Sequence, residues 1–224
     1  MQQSAIIVAG GSGSRMKSDV PKQFLPVGGL PILMHTLRAF RRYSPELALY
    51  LVLPESQFGT WQVLCQQYGF DEKYLLVAGG ETRFHSVQNG LRQIQAPEGL
   101  VAVHDSVRPF VTSTLIAAGF RQAAAEGTSV ACVPLKDSVR RVAPDGHNQA
   151  VDRAAYRLIQ TPQIFRLDWM RQAFRSEYLP HFTDCASVLE QAGYPIHLTE
   201  GTYENIKITT AEDLLWAEVL LKST

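Results

Sequence analysis

The sequence carries no surplus of charge: among 224 residues, Lys plus Arg and Asp plus Glu both total 21, a formal net charge of zero. With no overall field to draw in nucleic acid or a membrane surface, neither is expected as a partner, and any anion site must be local. Cysteine is scarce. Cys65, Cys132 and Cys185 are odd in number, far apart and without metal-ligand spacing, which argues for reduced thiols, no disulfide and a cytoplasmic setting. No apolar run approaches the length of a membrane span, and the first strand-like run follows four residues that hold neither a basic region nor a cleavage site. Repeats and dividing linkers are missing too. At 46% hydrophobic content the chain can bury a full core, and residues 1–224 are expected to form a single domain.

What is present begins with Ile6, Ile7, Val8 and Ala9, followed by Gly10-Gly11-Ser12-Gly13-Ser14-Arg15-Met16 and then Pro21-Lys22-Gln23. A short apolar run ahead of three glycines reads as a buried strand delivering a loop whose backbone closely approaches a ligand. Successive backbone N–H groups can face one phosphate, and Arg15 and Lys22 can close over it. Two other glycine motifs fail. A dinucleotide fingerprint starting at Gly11 needs a small residue where Met16 stands, and a P-loop needs its lysine directly after the turn, whereas Lys22 lies downstream behind a proline.

Along the chain, apolar runs alternate with amphipathic ones. Strands are expected at Leu47 to Leu53, Tyr74 to Val77, Leu100 to Val103, Ser129 to Val133 and Ile196 to Leu198. Helices are expected after Pro31, over Gln57 to Tyr68, around Val87 to Ile94, over Ser113 to Glu126 with Thr112 or Ser113 as cap, over Trp169 to Tyr178, over Ala186 to Ala192, and over Ala211 to Leu221 with Thr210 as cap. This rhythm implies an α/β fold, a mostly parallel twisted sheet with helices on both faces. It breaks from Lys136 to about Gln160, a polar stretch turning at Pro144-Asp145-Gly146. The stretch holds too little apolar material for a core element and reads as a projecting β-arm, stabilised by a second subunit or else a flap.

In open α/β sheets ligands sit beyond the carboxyl ends of the strands. The unusual residues fall there: the glycine loop, Gly79 to Arg83, and His104 to Pro109. Gly80, Glu81 and Ser86 can line a nucleobase, and Asp105 can meet a ribose, a sugar-like substrate or a phosphate-bound metal. His104 reads as a structural histidine that holds the loop.

With these motifs in order, joined by Val151-Asp152-Arg153, Thr161-Pro162-Gln163, Thr183-Asp184 and Asn205-Ile206-Lys207, the whole chain resembles the 2-C-methyl-D-erythritol 4-phosphate cytidylyltransferases. These belong to the glycosyltransferase-A-like nucleotidyltransferase superfamily, with its Rossmann-like fold. The resemblance implies CTP and a polyol phosphate as substrates, a divalent cation such as Mg²⁺ held mainly by the CTP phosphates with Asp105 as a possible contact, and a homodimer built through the arm. It implies catalytic cations at Arg15, Lys22, Arg153 and Lys207. It assigns the nucleotide to Ala9, Gly10, Gly11, Gly13, Gly80, Glu81, Ser86, Asp105 and Ser106, and the second substrate to Asp105, Arg108, Ser138, Arg153, Thr161, Thr183 and Lys207. Arg153 would serve the neighbouring subunit.

Three positions depart from the family's commoner residues: Glu81 for aspartate, Ser138 for threonine and Cys185 for an acid. Glu81 keeps the charge and Ser138 the hydroxyl, while Cys185 reads as a small buried residue at a helix start. Ribitol 5-phosphate cytidylyltransferases carry a run similar to His104 through Phe110, so that second polyol phosphate remains an alternative. A non-catalytic nucleotide-binding module would keep the base pocket but has no need of four converging cations.

Overall fold

The computed structural model describes residues 1–10 and 20–222. The first strand, β1 (Gln3–Val8), alternates its side chains between the two faces of the sheet, with Ala5 and Ile7 in one hydrophobic cluster and Ile6 and Val8 in another. A small hairpin of β2 (Pro26–Val27) and β3 (Leu30–Pro31) leads into α1 (Ile32–Tyr43). Pro31 sits at the helix entrance, and Leu33, Met34, Leu37 and Phe40 recur at helical spacing and are buried. Then follow β4 (Ala48–Leu53), α2 (Phe58–Tyr68), β5 (Leu75–Ala78), α3 (Arg83–Gln93) and β6 (Leu100–Asp105). Next come α4 (Ser113–Glu126) and β7 (Thr128–Pro134). Thr112 accepts from the Leu115 N–H at 3.1 Å and so caps α4, which ends on Gly127 at φ +87, a left-handed position that a side chain would strain.

Beyond β7 the chain leaves the body as the hairpin of β8 (Val139–Val142) and β9 (Asn148–Val151), turning through Ala143 to His147. The arm is shorter than its polar composition suggests. β10 (Arg157–Arg166) begins inside the expected arm, because Arg157, Leu158 and Ile159 already pair with Pro134, Val133 and Cys132. The sequence pattern predicts the β-arm there rather than a strand of the central sheet. Leu158 and Ile159 stay exposed at 52% and 43%, so the segment shows no clean buried face to periodicity. The chain closes with α5 (Leu167–Ala173), α6 (Cys185–Gln191), β11 (Leu198–Glu200) and α7 (Ala211–Lys222). Helix α5 stops five residues before the expected Tyr178, and β11 starts at the residue where the last strand was expected to end. At α7 the Asp213 carboxylate accepts from the Thr210 N–H at 2.8 Å while Thr210 Oγ1 accepts from the Asp213 N–H, a reciprocal cap.

The strands assemble in the order β11-β7-β10-β6-β1-β4-β5. All neighbours are parallel except β10, which runs against both β7 and β6. Leu33, Leu37 and Phe40 of α1, Trp61 of α2 and Phe120 of α4 cover one face of the sheet. Phe84 and Leu91 of α3, Met170 of α5 and Leu189 of α6 cover the other. From β1 the chain goes outward to β4 on one side and later returns to β6 on the other. The crevice between the carboxyl ends of β1 and β6 is therefore the topological switch point, where such sheets take ligands.

Candidate active site

Gly10 and Asp105 face each other across that crevice. Asp105 ends β6, and the Ser106 N–H is tied to the Val8 carbonyl at 3.0 Å. Three cations surround its carboxylate. Lys207 Nζ lies 2.8 Å and Arg108 Nε 3.7 Å from Oδ2, while Arg83 Nη2 lies 3.4 Å from Oδ1. Burial by itself would push the Asp105 carboxyl up, but Arg83, Lys207 and Arg108 together hold it well below the usual carboxylate range.

Two cavities meet at this cluster. One is lined by Gly10, Lys22, Gln23 and Ser106, the other by Arg108, Gln160, Thr161, Gln163, Thr183 and Asp184, and both share Arg83, Asp105 and Lys207. The first has backbone and cations suited to a polyphosphate. The second is a polar bay suited to a small polyhydroxylated molecule.

The floor of the second bay is a fixed hydrogen-bond network. Thr161 Oγ1 accepts from the Asp105 N–H at 3.1 Å and stands 3.0 Å from His104 Nδ1, while His104 Nε2 lies 3.0 Å from the Arg108 carbonyl. Because the Arg108 carbonyl can only accept, the ring's one proton sits on Nε2, and the Thr161 hydroxyl donates to Nδ1. Burial accordingly lowers the His104 pKa to about 4. His104 is a structural neutral imidazole, as its sequence context suggests. The Asn205 side chain donates to the Thr161 carbonyl at 2.8 Å and to Gln160 Oε1 at 3.2 Å, and the Asn205 carbonyl receives Arg108 Nη1 at 2.7 Å. Gln163 reaches Asp184 at 2.7 Å and accepts from the Cys185 and Ala186 N–H groups, which pins the start of α6 against β10.

The residues expected to line the base are packed by close approach. The Gly80 N–H donates to Ser86 Oγ at 3.1 Å, and a Cβ on Gly80 would stand 2.4 Å from His85 Cβ. A Cβ on Gly10 would meet the same Ser86 hydroxyl at 3.4 Å. Ala9 is buried, its N–H bonded to the Val52 carbonyl at 2.9 Å and its carbonyl to Gln23 Nε2 at 3.1 Å. Gln23 in turn donates to Gln57 at 2.7 Å and so moors the segment that carries Lys22.

The remaining expected residues fall in three groups. Gly11, Gly13 and Arg15 lie outside the described residues. Glu81 and Thr183 are exposed; Thr183 borders the second cavity, whereas Glu81 lines neither of the two. Ser138 and Arg153 line a separate cavity on the arm with Val139, Arg140 and Asp152, not the cavities that meet at Asp105. Arg108 and Thr161 border the second cavity, yet much of their bonding is internal, because the network needs their groups to fix the loop after β6. Arg83, Gln163 and Asn205 had no assigned role in the sequence. For Arg83 the signal was its place three residues after Gly80, opening a helix on the ligand-facing rim.

Among the described residues no group of three His, Cys, Asp or Glu side chains could hold a metal. Asp105 is the one acid of the first cavity's described lining, and it already faces three cations. This described donor set fits an ion carried by a nucleotide's phosphates. Nor is any described helix long and apolar enough to cross a membrane. All three cysteines are free, and Cys185 is the buried first residue of α6, as expected.

A family model described as 2-C-methyl-D-erythritol 4-phosphate cytidylyltransferase matches residues 3–223. The protein of that name from Bacteroides thetaiotaomicron is 51% identical over 221 residues, covering 99% of this chain and 100% of the relative. The one from Porphyromonas gingivalis is 50% identical over 222 residues, covering 98% and 97%. Among solved structures, the 4-diphosphocytidyl-2C-methyl-D-erythritol synthase of Anaerococcus prevotii superposes with a TM-score of 0.83 at 28% identity, covering 99% of this chain and 96% of that one. The 2-C-methyl-D-erythritol 4-phosphate cytidylyltransferase of Thermus thermophilus superposes with a TM-score of 0.77 at 32% identity, covering 99% and 100%.

Proposed function

Because the chain belongs to the 2-C-methyl-D-erythritol 4-phosphate cytidylyltransferase family, we infer that it transfers CMP from CTP to 2-C-methyl-D-erythritol 4-phosphate, releasing pyrophosphate. The product is 4-diphosphocytidyl-2-C-methyl-D-erythritol, an intermediate of non-mevalonate isoprenoid precursor synthesis. One observation carries the reading: a cavity suited to polyphosphate and a polar bay meet at Asp105, Arg83 and Lys207. Two anionic substrates can approach there with their reacting phosphates adjacent.

The chemistry needs charge control more than proton transfer. An oxygen of the polyol phosphate attacks the α-phosphorus of CTP and pyrophosphate leaves opposite, so negative charge gathers on the equatorial and leaving oxygens. The cytosine rests against Ala9, Gly10, Gly80, Glu81 and Ser86, and the ribose near Asp105 and Ser106. The family resemblance assigns Gly11 and Gly13 to the triphosphate and gives Arg15 and Lys22 the task of neutralising it. A magnesium ion carried by the triphosphate, with Asp105 as a possible contact, would supply further neutralisation of its oxygens when bound. Lys207 holds the attacking phosphate, while Arg108, Thr161 and Thr183 border the polyol. The bay of one chain has no Arg153 or Ser138 of its own. In a homodimer joined through the arm, Arg153 and Ser138 of the partner subunit complete it. The reaction needs no membrane or nucleic acid, and the enzyme works in the cytoplasm as one domain.

A pyrophosphate-release assay tests the assignment. CTP with 2-C-methyl-D-erythritol 4-phosphate should give rapid release, and ATP or GTP very little, because a compact base wall excludes purines. Faster turnover with ribitol 5-phosphate would replace the polyol assignment. Absence of release with either polyol would overturn the enzymatic reading.

A further inference from the structure

Asp105 is one carboxylate among three cations, and only Arg83 has no part in the reaction described above. Arg83 opens α3, borders both cavities and splits Asp105 with Lys207: Arg83 Nη2 lies 3.4 Å from Oδ1, Lys207 Nζ 2.8 Å from Oδ2. Its other described neighbours offer it no free anion. Cys185 Sγ is 3.4 Å from Nη1, but burial pushes that thiol up to about 11, so it is neutral at pH 7. The nearby Asp184 carboxylate is taken up by the Ser187 N–H at 2.8 Å and by Gln163 at 2.7 Å. Arg108 approaches Asp105 from the Lys207 side, with Nε 3.7 Å from Oδ2 and Nη1 bonded to the Asn205 carbonyl, so of the three cations Arg83 is the one placed at Oδ1.

We propose that Arg83 is a positioning residue, which anchors Oδ1 of Asp105 so that Lys207 can turn from Oδ2 to the substrate phosphate. The inference rests on the cytidylyltransferase reading. A phosphate dianion arriving at Lys207 competes with Asp105 for the same ammonium, and it faces repulsion from a carboxylate left partly uncompensated. Arg83 removes both penalties by holding the carboxylate still and neutralising it from the opposite oxygen. Without Arg83, Asp105 retains Lys207, and binding of the polyol phosphate weakens selectively. CTP, bound on the Gly10 and Lys22 side, is affected far less.

The experiment compares wild type with Arg83→Gln, Arg83→Lys, Asp105→Asn and the Arg83→Gln/Asp105→Asn pair. Folding is read from thermal unfolding, KM for each substrate from pyrophosphate release, and polyol phosphate affinity from calorimetry. Arg83→Gln should raise the polyol phosphate KM on the order of ten-fold, as for a lost charge-assisted contact, with a much smaller change for CTP. Arg83→Lys should recover most of that loss. On the Asp105→Asn background the Arg83 substitution should add no further weakening, because its partner is already gone. An equal rise in both KM values, wild-type kinetics in Arg83→Gln, or full additivity in the double variant would overturn the proposal. If Arg83→Gln alone does not fold, calorimetry on Asp105→Asn and the double variant decides: equal affinities support the role, and a further loss in the double variant refutes it. An inactive wild type would refute the cytidylyltransferase reading itself, whereas an active wild type with an unaltered Arg83→Gln refutes only this role.

Discussion

At the scale of single residues, the active-site rim depends on ionisable groups held in fixed states by burial. His104 is fully buried, with its pKa lowered to about 4. The folded protein binds this proton less readily than the unfolded chain, whose histidine titrates near its ordinary value. The stability contribution is therefore complete above about pH 6.5 and is lost progressively as pH falls towards 4. Between pH 7 and pH 5 this amounts to roughly 2 kcal/mol. Urea unfolding of wild type should show that loss, and His104→Gln, though less stable at pH 7, should show a correspondingly flatter dependence over the same interval. Equal slopes would contradict the buried neutral imidazole. Lys22, Asp105 and Lys207 could be picked from the sequence because their motifs follow strand ends or stand in family order. Arg83 and Gln163 were harder to see, because their significance lies in partners about twenty residues away along the chain, Asp105 and Asp184, that only folding brings near.

At the scale of elements, strand ends and helix starts set the site, and the glycines there are spatial requirements. Gly80 lies against the first turn of α3, where an added Cβ would stand 2.4 Å from His85 Cβ and 3.0 Å from the His85 carbonyl carbon. Gly80→Ala must push the β5 to α3 loop off Ser86, so CTP affinity measured by calorimetry should fall by ~10-fold or more, as for other overpacked sites. Unchanged CTP affinity would show that the loop does not form the base wall. The alternating elements from β1 to β7 were legible because each buries a regular face. β10 was not, because its first half is exposed, its register to β7 shifts between Ile159 and Gln163, and it runs against both its neighbours. The arm was legible from its poverty of apolar residues and its Pro144-Asp145-Gly146 turn, but its far boundary was hidden by that same β10 segment.

At the scale of the whole molecule, Arg153 and Ser138 lie on the arm and line a cavity separate from those that meet at Asp105. If the partner's arm completes each site, inactive Arg153→Ala and inactive Lys22→Ala homodimers should complement each other. Each mixed dimer holds one site with both lesions and one with neither, so equal mixing with free exchange should restore roughly a quarter of wild-type activity. Exchange verified by pull-down with no recovery would show that both residues act in the same chain.

In the proposed reaction the substrate's phosphate attacks the α-phosphorus once and directly, with no protein nucleophile in between. Among the described residues lining the two cavities there is no thiol, and neighbouring Cys185 is fully buried and pushed up to about 11. One in-line displacement inverts the configuration at phosphorus, while two successive displacements retain it. The most direct measurement is therefore phosphorus NMR of the product made from CTP bearing a single-isomer sulfur substitution at the α-phosphate. Direct attack predicts inversion, whereas retention would require a covalent cytidylyl-enzyme intermediate and overturn it.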